Sequence, residues 1–132
     1  MSRRILLLGA MVCAAAPLGA QTPAVVTAVR TDVAPVLDGR DDDAVWQLST
    51  PTTGFQEARP TEGGASRQAT AFRVAYDAEH LYVFVRMHDT HPDSIVARMT
   101  RRDDNSASDA VIVMIDPYRD RRTGFEFRVN PV

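Results

Sequence analysis

Two consecutive segments constrain the fold more than anything else in this chain. Thr70, Phe72, Val74 and Tyr76 alternate with Ala71, Arg73 and Ala75. Beyond Asp77-Ala78-Glu79-His80, Leu81, Val83, Val85 and Met87 alternate with Tyr82, Phe84, Arg86 and His88. A two-residue period is that of a β-strand, and a short polar connection between two such runs predicts a hairpin. Apolar residues on both faces of Leu81 to Met87 predict a central strand covered on each side.

The flanking segments extend this pattern. Ala110 to Ile115 is an unbroken apolar run between Asp109 and Asp116-Pro117, which predicts a fully buried strand. Phe125, Phe127 and Val129 alternate with Glu126, Arg128 and Asn130, a strand with one polar face, and Tyr118 to Gly124 forms the charged link. Upstream, residues 21–34 read as an extended lead-in with a first strand around Val25 to Val29. Thr52 to Ala58 reads as a strand and Arg59 to Gln68 as a loop. Asp38-Gly39 marks a turn. Asp41-Asp42-Asp43 then place acids at the positive end of a short helical turn that buries Trp46 as a core plug. Thr90 to Ser108 is mostly loop, with one helical turn begun at Asp93. The fold class is therefore all-β, an antiparallel β-sandwich of jelly-roll or Ig-like kind over residues 35–132. Such a sandwich has about seven strands. Fewer are legible here, and Val132 follows a strand directly, so the expectation is a sandwich incomplete at its C-terminus, the front part of a longer protein.

Arg3-Arg4, the apolar run Ile5 to Ala16 and the small residues before Gln21 have the order of a secretory signal peptide over residues 1–20. The run is too short to span a bilayer. Export to the periplasm, the outer membrane or the extracellular space follows. Cys13, the sole cysteine, lies inside that run behind Val12, which argues against a lipid anchor. The processed chain then has no disulfide, thiol nucleophile or cysteine-held metal. With 45% hydrophobic and 24% charged residues, disorder and polytopic membrane folds are excluded. The 17 acids outnumber the 15 basic residues, all of them Arg, which excludes a general nucleic-acid surface.

One ordered series resembles a known family: Pro35-Val36-Leu37-Asp38-Gly39, Asp43-Ala44-Val45-Trp46, Val74-Ala75-Tyr76-Asp77 with Leu81-Tyr82-Val83, Asp109-Ala110-Val111 through Ile115-Asp116, and Phe127-Arg128-Val129-Asn130. The series is similar to the family 9 carbohydrate-binding modules, in the version that opens large secreted bacterial proteins ahead of an outer-membrane barrel. The resemblance implies a jelly-roll sandwich related to the DOMON domains, a non-catalytic role in binding an oligo- or polysaccharide linked to carbohydrate catabolism, and a structural calcium. It also implies that Arg128 and Asn130 bond sugar hydroxyls and that Asp89 is a calcium ligand. The family's stacking Trp and its site Glu fall on Ser106 and Ile112, so both of those chemistries are lost here.

Sugar recognition needs a flat apolar face with fixed polar groups beside it, since an unpaired buried donor costs about 1–3 kcal/mol. Arg128 and Asn130 stand two residues apart on one side of their strand and meet the second need. The alternative is a solvated strand face with Glu126 paired to an Arg. Tyr82, Phe84 and Tyr118 remain as stacking platforms, with core packing the better use of the first two. Asp77, Asp89, Asp93, Asp103, Asp104 and Asp109 supply the oxygen chemistry calcium prefers, or else cap turns. His88 and His91 lack zinc-site spacing. No serine-hydrolase elbow or phosphate loop is present, and no carboxylate pair stands out for glycoside hydrolysis, so this segment reads as non-enzymatic and any hydrolase activity would belong to an attached domain. Loss of sugar affinity, as Ser106 and Ile112 suggest, gives a second reading as an interaction module docked on a downstream barrel. Haem held through Met87, His88 or Met99 is a third.

Overall fold

The period-two segments form the expected hairpin. In chain order the elements are β1 (Val29–Arg30), α1 (Ala44–Leu48), β2 (Gln56–Glu57), β3 (Gly64–Ala65), β4 (Thr70–Tyr76), β5 (Leu81–Met87), a 3-10 turn at Pro92–Ser94, β6 (Val111–Ile115) and β7 (Phe125–Val129). The computed structural model describes residues 25–101, 104 and 106–132, so the expected signal peptide lies outside the described residues. β4 and β5 pair antiparallel from Thr70↔Met87 to Tyr76↔Leu81. Asp77 closes the turn, its Oδ1 accepting the N–H groups of Glu79 and His80 at 2.7 Å each.

β1 adds to the other side of β4, and it does so parallel, with Val29 opposite Ala75 and Arg30 opposite Tyr76. This departs from the purely antiparallel expectation. The long connection from β1 to β4 carries α1 over the sheet, so no tight turn forces a reversal. β4 is thus the central strand, and β5, expected to be central, lies at an edge of the described sheet. The apolar residues on both faces of β5 are explained by layers above and below it.

The first layer is α1. The helix is five residues long and would not persist alone. It is held by Trp46, only 3% exposed, which joins Val45 and Ala75 in the core, with Val29, Tyr82 and Phe84 packed around them. The Trp46 and Phe84 rings lie 5.5 Å apart, so Tyr82 and Phe84 serve packing, as expected. Ser49 ends the helix, its N–H donating to the Val45 carbonyl at 3.2 Å and its hydroxyl to the Trp46 carbonyl at 3.1 Å.

The second layer is the β6–β7 hairpin, paired from Val111↔Val129 to Ile115↔Phe125. Val111, Val113 and Ile115 face Phe72, Val74, Val83 and Val85 across an apolar groove of about 550 Å³. The two layers and the near absence of helix are those of a β-sandwich. β6 was expected to be fully buried, yet Ile112 and Met114 are 46% and 72% exposed. The hairpin has a layer on one side only, so alternate residues of β6 meet solvent. β2 falls within the segment expected to be a strand, Thr52 to Ala58, and pairs with β3, which lies in the expected loop Arg59 to Gln68, with Gly63 at φ 76° making the turn.

Candidate functional site

The ladder register places the predicted sugar-binding residues. Ile112 lies opposite Arg128 and Met114 opposite Glu126, so these four alternate with the groove-facing residues and form the outer face of β6–β7. Arg128 Nη2 donates to the Ser106 carbonyl at 3.4 Å, and Asn130 Nδ2 donates to the Arg98 carbonyl at 2.8 Å. Both residues are therefore tied to the same loop, which spans 96–109. Its base is closed by Asp109, whose Oδ2 accepts the Val96 N–H at 2.9 Å while its own N–H donates to the Val96 carbonyl at 2.9 Å. Ser108 adds a third tie, donating to the Val96 carbonyl at 2.7 Å.

Ser106, Ile112 and Arg128 are thereby brought together from positions up to 22 residues apart. The chemistry of this face follows from its composition. Arg128 makes one long hydrogen bond, and among the described residues its remaining donors have no partner. Asn130, half-buried, keeps its Oδ1. Among the described residues Glu126 has no ion-pair partner, so the Glu–Arg pairing that would make this a mere solvated face is not formed. Ile112 and Met114 supply exposed apolar surface beside the guanidinium.

Asp89 stands on the loop after β5, exposed, with its Oδ1 accepting the His91 N–H at 2.7 Å and the Gln68 amide at 3.4 Å. Calcium takes six to eight oxygens, several of them from carboxylates. Among the described residues no three acids or histidines gather into a metal-holding group, and Asp103 lies outside them. The described surroundings of Asp89 are those of a turn cap and do not by themselves make a calcium set. The other acids behave alike: Asp38, Asp77, Asp116 and Asp120 each accept backbone N–H groups of their own turns.

Two side-chain arrangements were not read from the sequence. Asp41, expected to serve a helix start, instead clamps two guanidinia: Arg73 Nη1 donates to its Oδ2 at 3.0 Å and Arg86 Nη2 to its Oδ1 at 2.9 Å. Asp43 is the residue at the helix start. It makes no side-chain cap bond there, and its Oδ2 accepts the Val36 N–H at 3.3 Å. Electrostatics at α1 is thus a smaller matter than satisfying Arg73 and Arg86. The signal was available, since alternation puts both arginines on the face of Ala75 that the helix covers. The second arrangement joins Tyr82 and Asp77. The Tyr82 hydroxyl donates to Asp77 Oδ2 at 2.6 Å, and with the N–H groups of Glu79 and His80 it holds this carboxyl well below the usual carboxylate range. The same bond to Asp77 raises the Tyr82 phenol above its ordinary value.

The model of the carbohydrate family 9 binding domain-like family matches residues 37–130. The chain belongs to that family. The matched span runs from just before α1 to Asn130, and so contains the outer face of β6–β7 with Ser106, Ile112, Arg128 and Asn130. No curated protein and no solved structure matches the chain. The family's description names carbohydrate binding and no reaction, which fits the non-enzymatic reading of this segment.

Proposed function

We propose that this domain binds an oligo- or polysaccharide on the outer face of β6–β7, as the non-catalytic module of an exported protein engaged in carbohydrate catabolism. Arg128 donates to sugar hydroxyls, Asn130 accepts through Oδ1, and Ile112 with Met114 gives the apolar bed for a ring. The observation that carries this reading is the tethering of both Arg128 and Asn130 to the 96–109 loop. A polar pair held in place before the ligand arrives loses less side-chain entropy on binding. The test is calorimetric titration of soluble oligosaccharides into the chain and its Arg128→Ala variant. Binding that weakens in the variant is expected; equal binding by both, or none by either, removes the assignment.

A second reading is favoured by the apolar groove between β4–β5 and β6–β7. Here the sandwich docks on an outer-membrane barrel that follows it in the same protein, and the groove is filled by that domain. Calcium held through Asp89, and a hydrolase attached in place of the barrel, belong to the same family-based proposal. The docking reading expects the isolated chain to bind an apolar dye and to lose that signal when the following domain is attached.

A further inference from the structure

The link between β6 and β7 is a loop tied to itself by hydrogen bonds, whose three arginines have no ion-pair partner among the described residues. Arg119, Arg121 and Arg122 lie within four residues and are all exposed. Among the described residues no carboxylate is within ion-pair distance of any of the three. Two acids, Asp116 and Asp120, are close to them in sequence, yet both carboxylates accept N–H groups of the loop's own backbone and neither is within ion-pair distance of a guanidinium among the described residues. Asp116 Oδ2 accepts the Arg121 N–H at 2.8 Å, and its Oδ1 accepts the Tyr118 N–H at 3.2 Å. Asp120 takes the N–H groups of Arg122 and Thr123 at 2.8 and 2.9 Å and the Thr123 hydroxyl at 2.8 Å. These bonds fix the backbone, with Arg119 and Arg121 held at φ 54° and 55°, where side chains are disfavoured. Tyr118, 75% exposed, adds an unburied aromatic ring to the same loop.

A loop that spends its acids on its own backbone and holds three guanidinia in solvent is arranged for an anion. The loop is continuous with the face carrying Arg128, about 10 Å along β7 from Phe125 at the strand rise of roughly 3.4 Å per residue. A single small ion would not bridge that distance, whereas an oligomer with repeated charges would. The match to a carbohydrate-binding family points to a saccharide as that oligomer, and the exposed Tyr118 ring beside the guanidinia suits a ligand recognised by rings and charge together. We propose that the ligand of this domain is an acidic saccharide, whose uronate carboxylates or sulfate esters pair with Arg119, Arg121 and Arg122 while a ring lies on Tyr118. This inference rests on the saccharide-binding reading above and narrows its substrate class.

The test compares an oligogalacturonide, a sulfated oligosaccharide and a neutral xylo-oligosaccharide of the same length by calorimetry. The chain is set against an Arg119→Gly, Arg121→Gly, Arg122→Gln variant, in which glycine accepts the positive φ angles without strain. Tighter binding of either acidic oligomer is expected, weakened roughly tenfold in the variant and by added salt, with neutral binding unchanged. Neutral binding as tight as acidic, or an acidic oligomer bound equally by the variant, overturns this inference and leaves the saccharide reading in place. Single-stranded DNA of matched charge binding as tightly as the oligogalacturonide would likewise overturn it. No binding of any saccharide defeats both.

Discussion

Replacing Trp46 with Ala tests the packing on which the first layer depends. An indole buries about 150–250 Å² of surface, and Trp46 is 3% exposed, so nearly all of it is withdrawn from water. At about 25 cal/mol per Å² that burial is worth roughly 4–6 kcal/mol, an upper bound because unfolded chains already bury part of such surface. A loss of about 3–5 kcal/mol is expected, the range seen for Phe and Trp truncations in cores. Against a typical total of about 5–15 kcal/mol this is a large fraction, and it corresponds to a fall in Tm of at least roughly 10 °C. Urea denaturation followed by circular dichroism measures it. Leu48→Ala, on the same helix but 74% exposed, is the control and should change stability by less than about 0.5 kcal/mol. Equal, small losses in the two variants would refute the claim that α1 is pinned by one indole against Phe84.

Removing the Asp41 carboxylate by Asp41→Ala leaves Arg73, partly buried, with its charge unpaired. A lower urea midpoint than in Arg86→Ala, whose guanidinium is more exposed, is expected. Tyr82→Phe alters the pH dependence of stability at both ends. Asp77, depressed in the fold, contributes stability present above its unfolded value near 3.9 and lost as pH falls below it. Tyr82, raised in the fold, contributes stability present below about 10 and lost as pH climbs through its folded value. The variant should therefore show a shallower acid limb and no tyrosine contribution at the alkaline end in thermal melts from pH 2 to 11. Ile112→Glu removes part of the apolar bed and sets a carboxylate opposite Arg128, so it should weaken neutral oligosaccharides roughly tenfold and acidic ones further, read by the same titrations. Asp89→Ala should lower Tm modestly through the lost turn bonds to His91 and Gln68. A larger fall in millimolar calcium than in chelator would instead make Asp89 a metal ligand.

Alternation was enough to fix the hairpin of β4 and β5, the polar outer side of β7 and the turn at Asp77, because period and turn chemistry are local properties of the chain. Trp46 as a plug was legible too, since a lone indole after a turn has few other uses. The candidate face was legible only in part. Arg128 and Asn130 stood out as neighbours on one side of a strand, but nothing in the sequence joined them to the carbonyls of Ser106 and Arg98.

By itself the amino-acid order determined which residues could share a face and where the backbone had to turn. Tertiary structure decided how many of those faces were covered: β1 joined β4 in parallel, β5 became an edge, and β6 kept one side in water. It also decided that Asp41 would serve Arg73 and Arg86 across 32 and 45 residues instead of its own helix. The physical reason is the same in each case. Periodicity is set by bonds between near neighbours, whereas burial and charge pairing are set by whichever distant segment arrives to exclude water, and that segment leaves no mark on the local pattern.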